Sequence, residues 1–220
     1  MRAVIPFDAT TPKRRLSPVL AAEERSAFAH AMLRDVLEAV NRSAFDPIVV
    51  STAPVAEAVS TPVHVDDRIA APVVVDDRPL DGVVTARIAE HAPLAVVMAD
   101  LPLLTPGTLD RLREREGDVV LAPGRGGGTN AMVIRDDRFE TDYHGASIRD
   151  HRQMALDRGL TVGEVDSFRL GTDVDEPADL LEVLLHGDGE SAAWVESAGF
   201  RIETGSGRPE AVRRDSGTDG

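Results

Sequence analysis

Cysteine is absent from this chain of 220 residues, so disulfides and thiolate metal sites are both excluded. Lysine is almost absent: Lys13 is the single one, and every other fixed cation is Arg. No apolar run approaches the roughly 20 residues needed to cross a bilayer, which excludes a membrane-spanning helix. The apolar start, residues 1–7, is too short for a signal peptide and lacks a cleavage site, so a cytoplasmic location is expected. Asp and Glu outnumber Lys and Arg, 38 to 24. A net charge of -14 and a pI near 4.8 argue against a nucleic-acid backbone as partner. Acid excess with so little lysine resembles proteins of salt-loving cytoplasms, where carboxylates keep the surface hydrated. A GC-rich genome, which favours Arg codons, is the alternative, although it does not by itself require excess acid.

What is present fits a soluble globular protein with one substantial core, or at most two small ones: 42% hydrophobic and 28% charged residues. Apolar strand-length runs are expected at residues 4–7, 47–51, 72–76, 94–99, 118–122, 130–134 and 160–165. Helical spacing is expected over residues 23–40, where Phe28, Met32, Leu33, Val36, Leu37 and Val40 would bury one face. Further helices are expected over residues 81–91, 109–115 and 147–158, and after Pro177, which suits a first helical turn. Continuous apolar strands alternating with helices predict an α/β fold: a mostly parallel mixed sheet with helices on both faces. One domain over residues 1–204 is expected, with a further short helix around Trp194. Residues 205–220, rich in Gly, Ser, Arg, Asp and Pro, read as a frayed tail.

Two acidic turns are the main chemical signal. Asp100 follows the apolar run of residues 94–99, and Asp173-Val174-Asp175-Glu176-Pro177 precedes the closing helix. A carboxylate at the C-terminal end of a buried strand points into the crevice where α/β sheets bind ligands. Two brought together would hold Mg²⁺, which takes oxygen ligands and shares them with phosphates. Asp100 also reads as a turn former, and Asp175 or Glu176 as a helix cap. Lys13-Arg14-Arg15, on the loop after the first strand, would neutralise a triphosphate, or would simply be solvated charge. Gly124-Arg125-Gly126-Gly127-Gly128-Thr129 would let backbone amides approach an anion, or would serve as a flexible hairpin. Gly145-Ala146-Ser147 opens a helix, a ready phosphate or carboxylate site, with Ser147 as a plain N-cap the alternative. His144 and His151 lack a metal-ligand partner of convincing spacing and read as ordinary polar residues.

In this order, these elements resemble the 2-phospho-L-lactate guanylyltransferases of deazaflavin coenzyme F420 biosynthesis. The carriers are Val4-Ile5-Pro6, Lys13 with Arg15-Leu16-Ser17-Pro18, Ala99-Asp100-Leu101-Pro102, Gly127-Gly128-Thr129-Asn130-Ala131 and Asp173-Val174-Asp175-Glu176-Pro177-Ala178-Asp179-Leu180. The match covers roughly residues 1–185. The Asp-Leu-Pro and Asp-x-Asp-x-Pro motifs are shared by many nucleotidyltransferases; the Gly-Gly-Thr-Asn-Ala segment is more particular to this family. The resemblance implies a Rossmann-like nucleotide-diphospho-sugar transferase fold and a reaction of GTP with 2-phospholactate that releases pyrophosphate. It implies Mg²⁺ on Asp100 and Asp173; Asp175, two residues on and so on the same face of an extended segment, is a further candidate ligand by its position. It places the nucleotide against Pro6, Phe7, Lys13 and Arg15, with Leu80 and Asp81 near the purine. Asp100, Lys13 and Arg15 would be catalytic, and Thr129, Gly145 and Ser147 would receive the acceptor. A homodimer is expected. The family commonly has Val-Lys after strand one, where this chain has Phe7-Asp8, leaving Lys13 or Arg15 to do that work. Phosphoenolpyruvate or 3-phosphoglycerate as acceptor, a molybdenum-cofactor or sugar-phosphate nucleotidyltransferase, and a catalytically silent nucleotide-binding protein are the alternatives.

Overall fold

Every residue of strands β4 (Leu94–Val97) and β6 (Thr129–Ile134) is buried, as happens when helices cover a sheet on both faces. The structure, a computed structural model, describes residues 1–55, 71–205 and 207–214. The two strands belong to a seven-stranded sheet with β1 (Arg2–Phe7), β2 (Asp46–Ser51), β3 (Val73–Val75), β5 (Val119–Pro123) and β7 (Val162–Glu164). Its order is β3-β2-β1-β4-β6-β5-β7. Only β6 runs antiparallel to its neighbours, so the sheet is mostly parallel and mixed, as the sequence predicts.

Successive side chains of a strand go to opposite faces. Ala3, Ile5 and Phe7 of β1 join a core built with helices α1 (Ala22–Asn41) and α3 (Pro106–Glu114). Val4 joins the opposite core with α2 (Leu80–His91) and α4 (Ser147–Asp157). Helix α1 departs from the one-faced expectation. Leu33, Val36, Leu37 and Val40 pack on the sheet, whereas Phe28 and Met32 belong to a separate cluster on its other side. Leu33 and Leu37 are fully buried, and cutting either to Ala costs on the order of 2–5 kcal/mol.

The cluster around Phe28 is a third layer made by the C-terminal segment: α6 (Leu180–His186), α7 (Glu190–Ser197) and a hairpin of β8 (Phe200–Glu203) with β9 (Glu210–Arg213). Trp194 stacks on Phe28 with ring centroids 5.1 Å apart. Asp35 of α1 accepts the amides of Glu190 at 2.7 Å and Ser191 at 2.9 Å, and the Ser191 hydroxyl, and so caps α7 from another helix. A Cβ at Gly189 would lie 2.3 Å from Asp35 Oδ1, so this approach needs glycine. Part of the segment expected as a frayed tail contributes to this layer. Residues 210–213 pair with β8, and Arg213 donates to Glu24 of α1 and to the Val19 carbonyl. A composition dominated by polar residues and glycine hid a strand whose partner is local and whose anchor is an ion pair. Residues 206 and 215–220 of that expectation lie outside the described residues.

Candidate active site

The strand order 3-2-1-4 puts the topological switch point between β1 and β4, where open α/β sheets bind ligands. The loop leaving β1 is organised by Asp8, which accepts the amides of Thr10 at 2.9 Å and Thr11 at 3.1 Å, and the Thr52 hydroxyl beyond β2 at 3.3 Å. Burial pushes the Asp8 carboxyl up, but these hydrogen bonds outweigh it and hold it below the usual range. The loop then delivers Lys13 in the left-handed region, φ 52°, a conformation costing a non-glycine residue about 1–2 kcal/mol. Strain of this kind persists where the surroundings over-determine it.

Those surroundings are carboxylates. Lys13 Nζ donates to Asp100 Oδ2 at 2.6 Å and to Asp175 Oδ1 at 2.8 Å, with its side chain only 10% exposed. Burial pulls its pKa down; the charges of Asp100 and Asp175 outweigh that and leave it raised, so the ammonium stays charged. Arg15 donates to the second oxygen of Asp175 and to Glu176. Burial raises the Asp175 carboxyl, and Lys13 and Arg15 reverse the sign and hold it low. Asp175 is therefore held by two cations of the β1 loop.

Asp100 and Asp173 are joined through the main chain, the Val174 amide donating to the Asp100 carbonyl at 3.1 Å. Asp173 Oδ1 accepts from Asn130 Nδ2 at 3.0 Å, and the same nitrogen reaches the Leu170 carbonyl at 3.0 Å. Asn130 fits there because the β5–β6 turn has glycine at 124: a Cβ would lie 2.4 Å from Asn130 Oδ1. Burial and then the neighbouring Asp100 charge raise the Asp173 carboxyl, against the Asn130 hydrogen bond. Asp100 Oδ1 is buried without a hydrogen-bond partner. A buried carboxylate oxygen without a donor, beside a carboxyl raised by burial and like charge, fits a hard divalent cation, which Mg²⁺ is. Among the described residues, the three-residue group whose ligand atoms lie within 4.8 Å of one another is Asp81, Asp142 and His144, not Asp100, Asp173 and Asp175.

Two clefts meet at Asp100. One, of about 380 Å³, is lined by Pro6, Phe7, Lys13, Arg15 and Leu80. The other, of about 640 Å³, is lined by Thr129, Gly145, Ser147 and Asp173. Leu80, Arg15, Asp100 and Asp175 border both. The sequence-expected nucleotide and acceptor residues thus fall in adjoining clefts, apart from Asp81. Asp81 lines neither; its carboxylate accepts the Tyr143 amide at 2.7 Å and so ties the loop before α4 to the start of α2. Gly145, at φ 59°, turns that loop in the left-handed region. By sequence alone His151 is an ordinary polar residue. It is fully buried and stands 2.9 Å from the Thr129 hydroxyl, a contact between a strand and a helix that no spacing in the sequence announces.

A sheet of this order, with cations after β1 and carboxylates after β4 and before α6, defines a nucleotidyltransferase-type α/β protein. Solved structures agree on the fold. A nucleotide-diphospho-sugar transferase from Desulfovibrio desulfuricans superposes with a TM-score of 0.66 at 16% identity, over 89% of this chain and 94% of that one. A cytidylyltransferase from Leptospira borgpetersenii gives 0.52 at 11% identity, over 89% and 92%. The chain belongs to the family of CofC-like guanylyl transferases, whose family model matches residues 1–214. Among its relatives, the 2-phospho-L-lactate guanylyltransferase of Halomicrobium mukohataei is 56% identical over 97% of this chain and 100% of its own length. That of Haloferax volcanii is 53% identical over 97% and 98%.

Proposed function

We propose that this protein transfers GMP from GTP to 2-phospho-L-lactate in the cytoplasm, with Mg²⁺, giving lactyl-2-diphospho-5'-guanosine and pyrophosphate for coenzyme F420 biosynthesis. The observation that carries this reading is the Lys13 ammonium held by Asp100 and Asp175 where two clefts meet, one bordered by Pro6, Phe7 and Leu80 and the other by Thr129, Gly145 and Ser147. Full-length relatives at about half identity with that activity support the substrates. Among the described residues no helix is long and apolar enough to cross a membrane.

An oxygen of the acceptor phosphate attacks the α-phosphorus of GTP, and the bond from that phosphorus to the bridging oxygen breaks. Pyrophosphate departs with the electron pair. The attacking phosphate is already ionised near neutral pH, so no general base is required. The protein's work is positioning and charge neutralisation. Lys13 and Arg15 lie beside the triphosphate and offset the charge gathering on the leaving pyrophosphate. Asp175 holds both cations in place. Thr129 and the start of α4 receive the acceptor anion through the Thr129 hydroxyl and the Ser147 main-chain N–H. Asp100 and Asp173 would hold Mg²⁺, which when bound screens the repulsion between two anionic substrates.

Pyrophosphate release tests this, measured in molar KCl with Mg²⁺, each of GTP, ATP, CTP and UTP, and each of phospholactate, phosphoenolpyruvate and 3-phosphoglycerate. Release is expected with GTP and phospholactate. Release with GTP and another three-carbon phosphate would change the acceptor and keep the chemistry. No release in any combination would overturn the reading.

A further inference from the structure

His151 is buried completely, between β6 and the loop before α4, and the reaction outlined above does not use it. Its Nε2 meets the main-chain N–H of Asp142 at 2.9 Å. A peptide N–H only donates, so Nε2 is the unprotonated nitrogen and Nδ1 carries the hydrogen. Nδ1 lies 2.9 Å from the hydroxyl oxygen of Thr129, which must then accept. The Ser147 hydroxyl donates to the same oxygen at 3.3 Å. A hydroxyl has two acceptor sites and one hydrogen. With both acceptor sites of Thr129 filled, its own O–H is what remains, and Thr129 lines the second cleft. The geometry points to His151 as a positioning residue: it fixes the Thr129 hydroxyl as a pure hydrogen-bond donor, so that the second cleft accepts an anionic oxygen and disfavours a group that must donate.

Surroundings keep the imidazole in the neutral form this requires. Burial brings its pKa down to about 4, against the opposing carboxylates of Asp81 on α2, Asp142 on the loop and Asp150 on α4. The rings of Tyr143 at 4.9 Å and Phe139 at 5.9 Å wall it in. This inference rests on the guanylyl-transfer reading for its substrate, not for its hydrogen-bond order.

Three variants test it: His151→Leu, His151→Asn, whose amide can donate from near the Nδ1 position, and Thr129→Val, together with the Leu/Val double variant. In His151→Leu the acceptor KM should rise about tenfold, the loss of roughly one oriented hydrogen bond to a charged group, with the GTP KM unmoved. His151→Asn should recover most of that rise. Thr129→Val alone should raise the acceptor KM, and adding His151→Leu to it should change nothing further. Equal effects on both KM values, no recovery with Asn, or additive effects in the double variant would overturn the proposal. Imidazole ¹⁵N NMR of the wild type, assigned by the signal lost in His151→Asn, reads the tautomer without turnover. Hydrogen on Nδ1 is expected, and hydrogen on Nε2 would overturn the proposal even in a variant set that folds poorly. Wild-type protein inactive with every acceptor, but showing the Nδ1 tautomer, would count against the guanylyl-transfer reading alone.

Discussion

Asp35→Ala should detach the C-terminal layer without touching the clefts. The carboxylate of Asp35, 8% exposed, accepts from the Glu190 amide, the Ser191 amide and the Ser191 hydroxyl. Hydrogen bonds to a charged acceptor are worth about 1.5–3 kcal/mol each, so three set a gross upper figure of about 4.5–9 kcal/mol. Burial raises the Asp35 carboxyl in spite of these bonds, so ionised Asp35 carries a desolvation cost that the substitution removes. Ordinary N-cap deletions, about 0.5–2 kcal/mol, give the lower figure. Between these bounds about 3 kcal/mol is expected, which for a chain of this size lowers Tm by about 6–12 °C. Calorimetry in molar KCl reads it directly, and amide exchange should quicken first in α7 and in the β8–β9 hairpin. Asp35→Asn keeps one acceptor oxygen and sheds the buried charge, so it should lose less than half as much. A fall under about 2 °C in the Ala variant, or exchange quickening first in the central strands, would refute the cap as the anchor.

Asp100→Asn should abolish turnover while Tm stays within about 3 °C of wild type, since the amide keeps the shape and a contact for Lys13; normal activity would remove Asp100 from the chemistry. For pH, His151 has a folded value of about 4 against 6.5 unfolded, so the unfolded chain binds the extra proton between those values. Its contribution is therefore complete above 6.5 and is lost as pH falls towards 4, about 3 kcal/mol at most. Denaturant titrations of wild type and His151→Asn from pH 7 to 4 should show that loss in the wild type alone, and parallel curves would contradict it. With a net charge of -14, the midpoint should rise as KCl increases to molar concentrations, and a midpoint indifferent to salt would contradict the halophilic reading.

The site was legible in the sequence where chemistry sits at the end of an apolar run. Asp100 follows four buried positions of β4, and Lys13 follows β1, so a parallel sheet brings them to one edge. Asp173 and Asp175 were legible as an acidic turn, but not their division of labour. That division depends on Asn130 reaching one and Lys13 the other, contacts 43 and 162 residues apart in sequence. Helix α1 was legible in extent, residues 23–40 expected against Ala22–Asn41 found. Its second buried face was not, because Phe28 and Met32 fit the same periodic stripe as Leu33 and Leu37. The short α5 (Phe168–Gly171) and strand β9 escaped for a related reason: each has an anchor distant in sequence, Arg125 for α5 and Glu24 for β9. Composition alone carries no trace of such partners.

Crystals grown with GTP and Mn²⁺, with the ion located by its anomalous scattering, would show which carboxylates hold the metal. The manganese peak is expected within coordination distance of both Asp100 and Asp173, beside the triphosphate, with Asp175 still on Lys13 and Arg15. A peak at Asp81, Asp142 and His144 instead, or nucleotide bound with no ion touching Asp100 and Asp173, would contradict it.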